Sequence, residues 1–339
     1  MRAYILRRLL LLPPTLIGIT LVVFFITRLA PGGPLEQAIM SAQQVNVGGA
    51  SQRNVGQGTA LSQEQLDQLK AYYGFDKPWP AAYAEWLGKV VRGDLGESFR
   101  YNVPVWDLIR ERLPVSIFYG LATLALTYGI CIPLGIVKAL RHRTWLDSSS
   151  SFLIFAGYAV PGYALGALLV VFLSARLRWF PMGGFVGPDF DQLGFLAKVG
   201  DLLHHAALPL ACYMIGSFAL LTVMTKNHLL DELAADYMRT AVAKGVSYPR
   251  AVLRHALRNS LIPLATNVGA SITFFLSGSF LIETIFDIDG FGLLGYKSLL
   301  DRDYPVVMGT LFLSSLLILV GNIISDLAVA LVNPRIRFN

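Results

Sequence analysis

Apolar residues in this chain gather into six long runs: Leu9–Leu29, Leu113–Ala139, Ser149–Ala175, Ala206–Thr225, Leu261–Ile285 and Pro305–Val332. Each has about the 20 residues an α-helix needs to cross the hydrocarbon core of a bilayer. The pattern predicts an all-α integral membrane protein with six transmembrane helices. Basic residues flank the runs. Arg2, Arg7 and Arg8 precede the first, Lys138, Arg141 and Arg143 close the second, and Arg335 and Arg337 follow the last. Lysine and arginine concentrate in short cytoplasmic loops, so this asymmetry predicts both termini inside. The first run reads as an uncleaved anchor. Its apolar core is longer than that of a secretory signal, and Pro31 follows Ala30 where cleavage would fall.

The polar segments between the runs set the domain organisation. Residues 1–30 form an N-terminal transmembrane helix. Residues 31–107 form an outer loop or cap. Residues 108–339 form a core of five helices with an inner loop over 226–260. Within the cap, Gln43–Thr59 is rich in Gly, Gln, Asn and Ser. Ser62 with Gln65 has capping-box spacing and introduces a helix with Leu66, Leu69 and Tyr73 on one face. A second helix is expected from Pro80, with Tyr83, Trp86, Leu87, Val90 and Val91 at helical spacing and Gly93 as its stop.

The strongest polar signal is Asp236–Arg258, a charged island between the fourth and fifth runs. Tyr237–Lys244 has helix-forming composition and Gly245 is a helix stop. Ser247 can cap a second helix with Pro249 in its first turn. Arg250, Arg254 and Arg258 recur every four residues on one face, with Val252, Leu253, Ala256 and Leu257 opposite. Such a face either meets lipid head groups at the cytoplasmic surface or docks another protein.

Composition narrows the class. The chain has 339 residues, 54% of them hydrophobic, a net charge of +6 and a mean hydropathy of +0.55. The positive charge sits beside apolar runs, which fits membrane orientation and gives no case for a nucleic-acid partner. Cys131 and Cys212 fall inside expected spans and read as packing residues. No G-x-x-x-x-G-K-[ST] phosphate loop occurs, so the chain is not expected to hydrolyse ATP.

The island resembles the cytoplasmic EAA loop of permease subunits in bacterial ABC importers. Arg239, Thr240 and Ala241 stand where that family has Glu-Ala-Ala, and Gly245 is its glycine. Only Ala241, Gly245 and Leu257 match the general pattern. The longer string Tyr-x-x-Thr-Ala-x-Ala-Lys-Gly, followed by His-Ala-Leu-Arg-Asn, is similar to the oligopeptide/dipeptide (Opp/Dpp B-type) branch. GDLGESF, FPMGG, IETIFDIDGFGLLGYKSLLDRDYPVVMGT and NIISDLAVALVNPRIRF extend the resemblance from Arg7 to Phe338. APGGPLEQAI and the enlarged outer loop look most like the Yej-type subgroup, associated with oligopeptides and the peptide-nucleotide antibiotic microcin C.

The resemblance implies a type I ABC importer permease fold in the bacterial inner membrane. It implies a non-catalytic subunit with no cofactor of its own, ATP and magnesium being bound by partner ATPase subunits. The implied partners are a homologous second permease, the ABC ATPases, a periplasmic peptide-binding protein and membrane lipid. Tyr237, Arg239, Thr240, Ala241, Lys244, Gly245 and His255 would couple the chain to the ATPase.

Other candidate chemistry is sparse. Pro161-Gly162 breaks the third run and marks either a translocation path or a packing kink. Asn322 and Asp326 share one face of the sixth run, as a structural polar contact or a proton relay. His204 and His205 lack companions at metal-ligand spacing. Glu283, Asp287, Asp301, Arg302 and Asp303 are expected to form a solvated outer rim, to pair with one another or to meet a binding protein. A stand-alone secondary carrier is the alternative function. It predicts deep ionisable residues and internal repeats, of which the runs show little. A membrane scaffold is a third class, which would not need the peptide-permease form of the loop.

Overall fold

The computed structural model describes residues 2–29, 33, 35–36, 39–40, 63–72 and 74–332. Gln43–Thr59, Ser62, Tyr73, Arg335 and Arg337 lie outside the described residues. Among those described the structure is helical, and the one extended pairing is an isolated bridge between Glu97 and Pro104.

The chain opens with α1 (Arg2–Leu29), then the cap helices α2 (Gln63–Tyr72) and α3 (Trp79–Val91). Helix α4 (Val105–Leu140) follows. The third apolar run is two helices, α5 (Trp145–Tyr158) and α6 (Gly162–Leu169), the latter continuing as a π-helical stretch over Val170–Arg176. The two halves are bent by 89°. Pro161 lacks an N–H and holds ψ at 136°, which ends the helix there. Gly162 lies so close to α7 (Phe195–Ala234) that a Cβ would sit 2.7 Å from the Cys212 carbonyl oxygen.

Helix α7 starts at Phe195, before the fourth apolar run begins at Ala206. The island follows as α8 (Asp236–Ala243), α9 (Tyr248–Ala251), a π-helical stretch (Val252–Ala256) and α10 (Leu257–Ser260). The fifth run is also divided, into α11 (Ile262–Leu276) and α12 (Phe280–Ile285), parted by Gly278 at φ +72°. Its 15 residues give α11 a length of about 22 Å, short of a roughly 30 Å hydrocarbon core. The chain closes with α13 (Phe291–Leu300) and α14 (Tyr304–Val332).

Helices α1, α4, α7 and α14 are long and apolar enough to cross singly, the α5–α6 pair makes a bent fifth, and α11 is shorter. The break in the third run falls at Pro161-Gly162, as its residues predict, while hydropathy averaged over the fifth run does not register the backbone at Gly278.

Two compact units result, Pro13–Glu111 with Gly295–Ser315, and Met1–Leu12 with Arg112–Leu294 and Leu316–Asn339. In the first, Phe24, Tyr83 and Met308 form a core against Ala82, Trp86 and Leu87. Tyr83 Oη and Thr20 Oγ1 share a hydrogen bond of 2.9 Å. Gly93 ends α3 at φ +82°, as expected, but Val91 points outward at 81% exposure. Asp303 is buried, not a rim residue. It accepts from Ser98 Oγ, from Phe99 N at 3.0 Å and from Arg100 N at 3.3 Å, so the GDLGESF string ends on its carboxylate.

In the second unit, Tyr119, Cys212, Tyr213, Phe286 and Ile288 form the main core. Cys131 and Cys212 are free and buried. Helices α11 and α14 meet backbone to backbone at Gly269 and Gly321, where a Cβ on Gly269 would fall 1.7 Å from the Gly321 carbonyl oxygen. Ser325 Oγ donates to Thr266 O at 2.6 Å and accepts from Gly269 N at 2.9 Å across the crossing. Small residues and a hydroxyl bridge are how helices associate where lipid removes the hydrophobic drive between them.

Candidate functional site

The island folds as two short helices around a glycine. Gly245 sits at φ +88°, a conformation that disfavours a side chain, and its N–H bonds Val242 O at 2.9 Å. The expected Ser247 cap makes no side-chain bond; its extended backbone alone starts α9. Met238, Ala251, Val252 and Ala256 turn inward and pack with Ala139 of α4 and Leu229 of α7. Ala241 joins that packing from the edge.

The second helix departs from the amphipathic pattern. Over Val252–Ala256 the backbone widens into a π-helical turn, with Leu257 N bonding Val252 O. One extra residue enters the turn, so Val252 and Ala256 stay buried while Leu253 swings out to 65% exposure. Leu253 therefore lies with Arg254 and His255 on the outer face instead of opposite the arginines. Arg258 turns back, its Nε donating to Val332 O at 2.9 Å.

The outward surface of the island carries Arg239, Thr240, Lys244, Gly245 and His255, with Tyr237 at its edge. Tyr237 Oη donates to the Glu232 carboxylate, which also accepts from Asn259 Nδ2 at 3.3 Å. Burial, and then that carboxylate, push the phenol up to about 12, so it remains a donor. Arg239 is 82% exposed, with only a loose 3.7 Å contact to Asp236. This is a charged, hydrogen-bond-rich knob held from behind by apolar packing. Its charges and hydrogen-bonding groups suit it to binding a surface.

A buried ionic cluster lies where the end of α4, the start of α5 and the last third of α7 meet. The Asp147 carboxylate takes Lys226 Nζ at 2.7 and 2.8 Å and Lys138 Nζ at 3.1 Å. Arg143 N donates to it at 3.2 Å and His142 Nδ1 lies 3.4 Å away. Lys138, 0% exposed, also donates to Asp147 O, Ser150 Oγ and Ser151 Oγ at 2.7–2.8 Å. The sequence reading used Lys138 only as a marker of the inner side. Asp147 and Lys226 carried no signal there, since each stands alone in its segment.

The remaining candidates divide. Asp326 accepts from Arg8 at 2.7 Å, while Asn322, one turn earlier, is exposed. Glu283 is buried and is no rim residue. It accepts from Leu293 N at 2.5 Å and Tyr213 Oη at 3.3 Å, and Gly278, Gly290 and Gly292 close around it with no room for a Cβ. Asp289, by contrast, is an exposed partner of Arg112 at 2.8 Å. His204 and His205 bond the carbonyls of Trp179 and Asp201, and no metal-binding group occurs among the described residues.

Comparison with known proteins agrees with this arrangement. Residues 131–338, which contain the island, match the family described as binding-protein-dependent transport system inner membrane component. The whole chain is 40% identical to 99% of the inner membrane ABC transporter permease protein YejB of Escherichia coli O157:H7. It is 41% identical to 99% of the peptidoglycan transport system permease protein YejB of Agrobacterium fabrum. It is 37% identical to the full length of the oligopeptide transport system permease protein AppB of Bacillus subtilis. Its apolar helices and these relatives make it a multi-pass protein of the bacterial inner membrane. The chain thus belongs to the binding-protein-dependent transport system inner membrane component family, as an ABC permease of the Yej and oligopeptide/dipeptide type.

Proposed function

We propose that this chain is the transmembrane permease subunit of an ATP-driven importer of oligopeptides or peptide-like compounds, peptide-nucleotides of the microcin C type included. Both termini face the cytoplasm, and the α5–α6 pair and α11–α12 complete six crossings. The observation that carries the reading is the island's division of labour. Met238, Ala251, Val252 and Ala256 anchor it to the spans, and Tyr237, Arg239, Thr240, Lys244, Gly245 and His255 lie outward for a partner. That partner is an ABC ATPase, which binds ATP and magnesium in separate chains. Its closing and opening rocks the spans through the island, giving alternating access. A second permease and a periplasmic peptide-binding protein complete the assembly. Two relatives' names, one oligopeptide and one peptidoglycan, support a peptide-like substrate.

Gly162 packs on a carbonyl, so the Pro161-Gly162 break is assigned to packing. Asp326 with Arg8 is assigned to structure, which weighs against the secondary-carrier alternative.

The test is a pair of variants in the reconstituted complex. Gly245→Ala and Gly245→Trp share the backbone strain of a positive φ but differ in bulk, and no atom lies within 4 Å of the position a Cβ takes. Gly245→Trp should lose far more transport per ATP hydrolysed than Gly245→Ala. Equal coupling in the two variants would remove the docking assignment.

A further inference from the structure

The island is the part a partner would push, but its motion must reach the spans. Apolar packing ties it to α4 and α7 through Ala139 and Leu229. Nothing in that packing reaches α5, the inner half of the bent pair. Farther along, Gly157 of α5 packs on Ile215 of α7, but at the end nearest the island the link to α5 is ionic. Lys226 stands on α7, ten residues or about 15 Å of helix before Asp236. Its ammonium grips both oxygens of Asp147 in the first turn of α5.

The two lysines of the cluster are not equivalent. Lys138 satisfies itself locally, with three neutral oxygens between Asp147 and Ser151 as well as the carboxylate. It pins the α4–α5 corner whether or not Lys226 is present. The bonds recorded for Lys226 all run to the Asp147 carboxylate. Without Lys226 that carboxylate keeps Lys138 at 3.1 Å and Arg143 N at 3.2 Å. The corner is thus self-sufficient, and the added bond joins it to the helix that carries the island.

We infer that the Lys226–Asp147 ion pair is the strut that makes α5 follow the island, so that Lys226 is a positioning residue for coupling and not one for folding. A short bidentate pair, largely withdrawn from water, resists shear better than the loose apolar contacts beside it. The inference rests on the coupling role proposed for the island.

The test uses the full complex in lipid with Lys226→Met, Lys226→Arg and Gly245→Trp in parallel. Two readouts apply: substrate transported per ATP hydrolysed, and the distance between spin labels at Val242 and Trp145, both exposed and neither assigned to docking. In the unsubstituted chain the label distance should be the same with and without trapped nucleotide. Lys226→Met should assemble normally, lose about fivefold or more in transport per ATP, and let the distance change with nucleotide. Lys226→Arg should restore both. Normal coupling or a fixed distance in Lys226→Met overturns the strut, and so does a failure to assemble, which would make Lys226 a folding residue. If Gly245→Trp is also fully coupled, the island reading itself falls; if only Lys226→Met is silent, the strut alone does.

Discussion

The island and the Asp147 cluster hold the same kinds of charge within one unit and use them in opposite ways. In the island, Arg239, Lys244 and Arg254 face solvent and barely touch the rest of the chain, while apolar residues behind them bear the structure. In the cluster, Lys138 and Asp147 are withdrawn from solvent and hold three helices together, while nothing there is offered to a partner. A charge near a membrane is thus informative by its depth. Exposed charge is available for recognition, and buried charge is committed to its counter-ion.

The largest effect should come from breaking the buried side. Asp147→Asn keeps the shape but leaves two ammonium groups without a counter-charge, one of them fully buried. Removing one partner of a buried pair costs about 3–5 kcal/mol. The yield and thermal stability of the detergent-purified subunit should fall sharply, and an unchanged melting temperature would show the cluster to be hydrated.

Next is the contrast between two acids six residues apart. Glu283→Ala strips Leu293 N and Tyr213 Oη of their acceptor in a closed glycine cradle, a loss of about 2–3 kcal/mol. Asp289→Ala removes a solvent-screened carboxylate from the largely buried Arg112, a loss of about 1 kcal/mol. The ordering is checked by thermal unfolding of both variants, and equal effects would mean Glu283 is not sequestered. A smaller, local change is expected at Gly245→Ala. Its φ of +88° costs a residue with a Cβ about 1–2 kcal/mol, read as faster amide exchange over the island without loss of the spans.

These contrasts track what could be seen in the residues alone. The helical class, the cap helix on Tyr83, and the glycine-broken island were legible, because each rests on a run or a period in adjacent sequence. The Asp147 cluster was not, because its members are single polar residues at 138, 147 and 226 whose proximity exists only after α4, α5 and α7 pack. Glu283 and Asp303 looked like rim residues for the same reason. Their donors include backbone N–H groups, which no side-chain pattern reveals, and hydroxyls of Ser98 and Tyr213 that lie far away in sequence. The break at Pro161-Gly162 was legible from the residues themselves, whereas the one at Gly278 escaped because an averaged apolar run does not register one glycine's backbone angles.

The smallest stability effect is the most discriminating for the island. An unbroken α-helix from Tyr248 would place Leu253 among the buried residues, and truncating it to alanine would cost about 2–5 kcal/mol. The π-helical turn places it outside, so Leu253→Ala should change the melting temperature by no more than an exposed substitution does, about 0.5 kcal/mol in free energy. An exposed leucine beside Arg254 and His255 is, however, what a partner would bury. Capture of the ATPase by the Leu253→Ala subunit should therefore weaken while its stability does not. Loss of both together would return Leu253 to the core and straighten the helix. Loss of neither would leave the outer face of the island to its charges alone.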